Sequence, residues 1–146
     1  MNLLLPCVYA FVACFAYCFI VNIRGQMLFW APLGASIGWL VYLLCGFFAQ
    51  DLLCYFLATV VVSAYAELMA RIKRVPAAGF LLIGIFPMVP GGGIYYTMKY
   101  CIDGDTALFL ETGIHTFGIA GCLALGVLVV TSILHLAHTI RHMRQA

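Results

Sequence analysis

The stretch IFPMVPGGG, residues 85–93, interrupts an uncharged run that extends from residue 75 to residue 98 and is long enough to cross a bilayer. Proline removes a backbone donor and clashes with the preceding helical turn, and three successive glycines lower the cost of leaving the helix. Backbone freed at membrane depth needs protein, water or a ligand as its partner, and in transporters such segments commonly form the substrate site. The sequence therefore predicts a membrane helix that is broken at PxxPGGG.

The composition excludes a soluble globular protein. Hydrophobic residues make up 66% of the chain and charged residues 8%, with a mean hydropathy of +1.12, whereas about 25% of the residues in a soluble domain are charged. The seven cysteines are scattered through apolar runs, without a CxxC pair or a cysteine and histidine cluster at ligand spacing. We therefore expect an integral membrane protein with no disulfide framework, no metal site and no cofactor.

Five apolar runs are separated by short polar connections. They cover residues 3–21, 27–49, 52–69, 75–98 and 107–140. The first four are close to the roughly 20 residues that a spanning helix needs, and the last is longer, so that it has to tilt or to project into the cytoplasm. The first run has no basic segment before it, so we expect it to remain as a helix rather than to be cleaved as a signal peptide. The pattern predicts an all-α integral membrane protein with five transmembrane helices, the fourth one broken, in a single membrane domain over residues 1–146.

The basic residues favour one orientation of these helices. If the amino terminus faces outward, six of the seven lysines and arginines are cytoplasmic and only Lys99 is outside. The six are Arg24, Arg71, Lys73, Arg74, Arg141 and Arg144. Asp51 and the loop at residues 103–105 then lie outside. A re-entrant fourth segment would spoil this asymmetry, although the sequence alone leaves both arrangements open.

Two acidic residues in or beside the apolar runs are candidates for proton coupling, because an acid inside a membrane span is costly and usually functional. Glu67 precedes Arg71 by four residues, the favourable order for a pair on one helix face. This pair is either an interfacial salt bridge or a proton-carrying group. Glu111 lies one turn before His115, which is either part of an interfacial hydrogen-bonded cluster or a relay near the outer mouth.

Small residues recur at four-residue spacing in two of the runs. Gly34 and Gly38 form one such pair, and Gly118, Cys122 and Gly126 form a stripe in the last run. Faces of this kind let a second helix approach closely. We interpret both as helix-packing faces; a glycine-lined substrate wall is the alternative for the first pair.

A basic stripe ends the last run. It consists of His135, His138 and His142 together with Arg141 and Arg144. Positive groups suit both the carboxyl end of a helix and the cytoplasmic membrane surface, so we interpret the stripe in these terms rather than as a metal site.

Three segments together resemble one known family. PAAGFLLIGIFPMVPGGGIYYTM, residues 76–98, is similar to the signature of the threonine/serine exporter family in its small-subunit (YjjB-like) form. VNIRGQMLFWAPLGASIG, residues 21–38, resembles the first loop and second helix of that family, and AELMARIKRVP, residues 66–76, resembles the end of its third helix. These segments cover about a third of the chain.

The resemblance implies a membrane exporter that works as two pieces, of which this chain is the smaller. Its partner would be a larger YjjP-like exporter subunit, and the family is associated with export of threonine and serine and, in the two-subunit branch, of succinate. Two five-helix units of opposite orientation would form an inverted-repeat transporter in a bacterial inner membrane. The lipid bilayer is a further expected partner, a homo-oligomer of this chain stays open, and no nucleic acid is expected.

The predicted mechanism is proton-coupled secondary transport of a small carboxylate metabolite. The predicted substrate-binding residues are Pro87, Pro90, Gly91, Gly92, Gly93, Tyr95, Tyr96 and Thr97, because helix amino termini bind anions and the hydroxyls add polar contacts. Glu67, Arg71, Glu111 and His115 are the proton-coupling candidates. An accessory subunit that only stabilises a transporting partner is the alternative. No nucleophile and base pair or phosphate motif occurs at workable spacing, so we do not expect an enzyme.

Overall fold

The computed structural model describes residues 4–143, without the side chains of residues 138, 139 and 141–143. Its helices are α1 Leu4–Ile20, α2 Met27–Cys45, α3 Asp51–Lys73, α4 Ala77–Ile85, α5 Gly91–Asp103 and α6 Thr106–Met143, with a 3-10 turn at Phe86–Met88 between α4 and α5. No strand occurs within the described residues. The prediction of an all-α protein is therefore confirmed.

Three helices are long and apolar enough to cross a bilayer, namely Met27–Cys45, Asp51–Lys73 and the Thr106–Ala137 part of α6. Taken as one bent element, Ala77–Met88 and Gly91–Asp103 make a fourth. Helix α1 is apolar and 17 residues long, at the lower limit for a span. The chain is thus a multi-pass membrane protein with three or four candidate spans plus this shorter helix.

Three helix ends lie four or more residues from those predicted, and one of them is that of α5, which continues to Asp103 rather than ending at residue 98. Helix α2 stops at Cys45 rather than at residue 49, and Gly46 begins a turn. Helix α3 continues to Lys73 rather than ending at residue 69, so its last turn carries basic side chains, which suit the negative end of the helix dipole. Arg74 then adopts a left-handed conformation with φ of 54° and ends the helix ahead of Pro76.

Helices α1 to α4 form a bundle held together by small residues. Its core consists of Cys14, Cys18, Ala31, Ala35, Ala66, Ala70, Phe80 and Ile83. A side chain at Gly34 would collide with the ring of Tyr65, and one at Gly38 would collide with Val62 and Met88. Both glycines therefore allow the helices to pack closely. In lipid the hydrophobic effect does not drive helices together, so their association depends on close contacts of this kind.

Helix α6 lies along α3 with the same direction of chain. Its His115 contacts Asp51 at the start of α3, its Gly126 packs on Thr59, and its residues 130–134 meet the end of α3 beside Glu67. The predicted stripe of small residues on α6 thus receives side chains of α3. Since α3 and α6 are parallel, the chain between them returns from the end of α3 to its beginning by way of α4 and α5.

Candidate transport site

The helix interruption lies at residues 86–90. The axes of Ala77–Met88 and Gly91–Asp103 differ by 53°, Val89 is extended with ψ of 126°, and Pro90 caps α5. Val89 is extended because a following proline disfavours helical geometry in the residue before it. We predicted that residues 91–93 would be unwound as well, but the three glycines form the first turn of α5. Proline is tolerated directly before a helix, so the helix restarts as soon as Pro90 is passed.

The glycine turn presents unpaired backbone amides. The amide of Gly91 donates to the carbonyl of Val89 at 2.7 Å, and the amide of Ile94 donates to the carbonyl of Pro90 at 3.1 Å. The amides of Gly92 and Gly93 have no acceptor within the part of the chain that the structure describes. A side chain built at Gly92 would meet nothing within 4 Å. Unpaired amides at the positive end of a helix are the groups that bind anions.

A cavity of about 490 Å³ lies between α5 and α6 beside this turn. Its lining is mostly apolar and consists of Val89, Pro90, Ile94, Thr97, Met98, Gly113, Thr116, Phe117, Ala120 and Leu123. The hydroxyl of Thr97 donates to the carbonyl of Gly93 at 2.7 Å, and that of Thr116 donates to the carbonyl of Thr112 at 2.7 Å. Both hydroxyl protons are therefore engaged, and each oxygen keeps lone pairs for an external donor.

Thr116 was not among the residues predicted from the sequence. It is buried, and a side chain at Gly93 would collide with its hydroxyl oxygen. Gly93 is thus a contact between α5 and α6 as well as part of the glycine turn. The sequence carried a partial signal, since Gly113 and Thr116 are three residues apart and share a helix face. Only the packing of α5 on α6 brings that face to the glycine turn.

The predicted substrate-binding residues do not all meet at one cavity. Only Pro90 and Thr97 line the cavity beside the glycine turn; the glycines at residues 91–93 lie next to its lining residues Pro90 and Ile94 but are not among them. Pro87 lines a separate cavity of about 350 Å³ between α1 and α2. Tyr95 and Tyr96 are 65% and 51% exposed and do not line the glycine-turn cavity. Because consecutive residues of a helix point in different directions, a contiguous sequence motif is divided among several surfaces.

Glu67 and Arg71 form the predicted pair, with Arg71 Nη2 and Glu67 Oε2 3.8 Å apart. The Arg71 side chain is 58% exposed and the Glu67 side chain 28% exposed. Together with Val130 and Ile133 of α6 they line a cavity of about 420 Å³. This cavity lies toward the carboxyl end of α3, whereas the glycine turn lies near the other end. The pair is therefore not part of the cavity at the glycine turn.

His115 pairs with Asp51 rather than with Glu111. Its Nε2 is 3.3 Å from Asp51 Oδ2, and the Tyr42 hydroxyl donates to Asp51 Oδ1 at 2.8 Å. Glu111 is exposed and makes no ion pair within the described residues. From the sequence, Asp51 is predicted only to lie in an outer connection. The pairing arises because α6 packs on α3, a relation between distant segments that spacing within one helix does not reveal.

The basic stripe at the end of α6 is only partly described. His135 is exposed on α6. The side chains of His138, Arg141 and His142, and the whole of Arg144, lie outside the described residues.

The fold and this geometry define a multi-pass helical membrane protein whose broken helix borders a cavity. The model of one protein family, described as "Threonine/Serine exporter, ThrE", matches residues 6–133. The chain therefore belongs to the threonine/serine exporter family, as its resemblance to that family suggested. Family membership assigns it to the transport proteins rather than to the enzymes. No curated protein and no solved structure matches the chain.

Proposed function

We propose that this protein is one half of a secondary transporter that exports threonine or serine, with the substrate held at the glycine turn of α5. The observation that carries the proposal is the pair of unpaired amides at Gly92 and Gly93, at the edge of a cavity in a member of an exporter family. A helix amino terminus interrupted within the membrane is the usual anion site of transporters with broken helices.

The chemistry of this cavity favours a neutral amino acid over a dicarboxylate. The substrate carboxylate would accept hydrogen bonds from the Gly92 and Gly93 amides. The substrate ammonium would donate to the oxygens of Thr97 and Thr116, whose own protons already bond to helix carbonyls. A second carboxylate would find no cationic side chain among the lining residues, and an unpaired charge in apolar surroundings is costly. A succinate-like dicarboxylate is therefore the less favoured substrate.

The membrane arrangement that we propose has five spans, with α4 and α5 crossing together as one broken helix. The parallel course of α3 and α6 supports a crossing rather than a re-entrant loop, because the chain has to change sides between them. The excess of lysine and arginine in alternate connections supports an outward amino terminus and a cytoplasmic carboxyl terminus. The resemblance to a family of bacterial exporters supports a location in the bacterial inner membrane.

A larger YjjP-like subunit would complete the transporter as the second, inverted half, with this chain as the small-subunit form. Helix α5 has no buried residue and packs mainly on α6. Its exposed Tyr95 and Tyr96 would then reach the substrate path from the interface between the halves. Transport would be driven by protons, and Glu67 would exchange a proton near the cytoplasmic end of α3.

Counterflow in proteoliposomes tests this function. Vesicles would contain this chain alone, the larger subunit alone or both, and would be loaded with unlabelled serine before labelled serine, threonine or succinate is added outside. We expect uptake of labelled serine and threonine that depends on both subunits, with little uptake of succinate. Full activity of the larger subunit alone would favour the accessory-subunit alternative, and preferred uptake of succinate would refute the proposed substrate.

A further inference from the structure

A cluster formed by Tyr42, Asp51 and His115 joins three helices at the end of the bundle near the glycine turn. Tyr42 comes from α2, Asp51 is the first residue of α3, and His115 comes from α6. The Tyr42 hydroxyl donates a hydrogen bond to one carboxylate oxygen of Asp51, and Nε2 of His115 faces the other carboxylate oxygen. The side chains of His115 and Asp51 are 53% and 45% exposed, and Asp51 follows the connection that the charge pattern predicts to lie outside the membrane.

We propose that Asp51 and His115, with Tyr42 as a positioning residue, form the site that takes up the coupling proton from the outer side. This inference rests on the proposed proton-driven export. Neutral His115, with its Nε2 hydrogen facing Asp51 Oδ2, accepts one proton at Nδ1, and the resulting imidazolium is stabilised by the Asp51 carboxylate. The same proton leaves toward the cytoplasm when the transporter changes state, so that no other reactant is consumed. Histidine suits this role because its charge changes within the physiological pH range.

The cluster is placed to act on the substrate cavity. His115 contacts α3, while the adjacent Thr116 lines the cavity and contacts Gly93 of α5. Formation of the charged pair holds this turn of α6 against α3, and release of the proton weakens that attachment. The position of the cavity wall therefore depends on the protonation of the pair. Two sites coupled through one two-state element affect each other's occupancy reciprocally.

The neighbouring groups leave His115 as the cationic partner of Asp51. Tyr55 stacks near Tyr42, with ring centroids 4.7 Å apart, and the Cys54 and Cys45 thiols lie nearby. Glu111, one turn before His115, is the other acid on this part of α6. Within the described residues, Asp51 has no ion pair with a lysine or arginine. The favourable effect of an acid at a helix amino terminus explains a carboxylate at position 51, but it does not explain the histidine and tyrosine that converge on it.

Export by the reconstituted two-subunit transporter, measured as a function of outer pH between about 5 and 8, tests this site. The variants are Asp51→Asn, His115→Gln, the double variant and Tyr42→Phe. Asp103→Asn is the control, because it removes an exposed acid of the outer connection that has no ion pair within the described residues and no proposed role in transport. Serine counterflow at equal pH on both sides is measured for every variant, because counterflow needs the substrate site but not net proton movement.

We expect Asp51→Asn and His115→Gln to lose most of the pH response while counterflow stays within about twofold of the wild type. The double variant should be no worse than either single variant, because residues that act as a unit are not additive. Tyr42→Phe should shift the pH profile with counterflow preserved, and Asp103→Asn should keep the wild-type profile.

Three results would overturn the inference. An unchanged pH response in Asp51→Asn and His115→Gln would refute it while leaving the proposed export function intact. Loss of counterflow along with the pH response would identify the cluster as a structural contact between helices. Absence of serine counterflow in the wild-type transporter would refute the proposed function itself, and this inference with it.

Discussion

Replacement of Gly92 with leucine tests the proposed substrate site directly. A side chain at this position meets nothing within 4 Å, so the fold should accommodate it. The new side chain covers the approach to the Gly92 and Gly93 amides at the edge of the cavity. We therefore expect a protein of normal abundance that no longer binds its substrate well.

The expected loss follows from the two amides. A hydrogen bond to a charged group contributes about 1.5–3 kcal/mol, and a factor of ten in affinity corresponds to about 1.4 kcal/mol. Loss of both bonds to the substrate carboxylate costs about 3 kcal/mol or more, which is about 100-fold or more in affinity. We expect this loss mainly in the substrate concentration that gives half-maximal counterflow.

Gly121→Leu is the matched control for this experiment. Gly121 lies on α6, is exposed, and likewise has open space where an added Cβ would lie. It does not line the cavity at the glycine turn. Counterflow of labelled serine is measured for both variants in vesicles that also contain the larger subunit, with the amount of each reconstituted chain determined in parallel. Near wild-type counterflow in Gly92→Leu, at equal protein amount, would contradict a substrate carboxylate bound at this turn.

Restoring the helix across the interruption gives an independent test of the same site. A proline costs about 3 kcal/mol and a glycine about 1 kcal/mol in a helix interior relative to alanine. Because Gly91 and Gly92 are already helical in α5, the combined Pro90→Ala, Gly91→Ala and Gly92→Ala changes favour a continuous helix mainly through Pro90, by about 3 kcal/mol before membrane effects reduce this figure. We expect normal abundance, normal association with the partner and no export. Export at the wild-type rate would mean that the interruption is only a packing kink.

Three further predictions concern packing, proton coupling and topology. Gly126→Leu should destabilise the contact between α3 and α6 by about 1–3 kcal/mol, because an added Cβ would lie 2.9 Å from Thr59 Cβ. The measurement is the melting temperature in detergent, which should fall; an unchanged value would contradict this contact. Glu67→Gln should insert normally, change stability by less than about 1 kcal/mol and reduce the dependence of export on inner pH, whereas an unaltered dependence would leave Glu67 as a surface salt bridge. Single cysteines introduced at residues 103–105 of a cysteine-free protein should react with an impermeant reagent in intact cells, and those at residues 71–74 should not. The reverse pattern would refute the orientation.

The sequence by itself determined the class of protein, and it predicted an interruption of the fourth apolar run at its two prolines. Hydropathy decides membrane insertion residue by residue, and the effect of proline on a helix is local, so both follow without knowledge of the fold. The residues around the interruption also carried the family resemblance. Local rules did not show that the glycines would restart a helix at once, because that depends on how soon the chain can resume hydrogen bonding after Pro90.

The tertiary structure alone decided which side chains meet. Thr116 joined the glycine turn because α5 packs on α6, and Tyr95 and Tyr96 were separated from the cavity by their direction on the helix. Asp51 became the partner of His115 because α3 and α6 run in parallel, although the two residues are far apart in the chain. Periodicity reports the faces of one helix, whereas a binding site depends on the order and direction in which several helices pack.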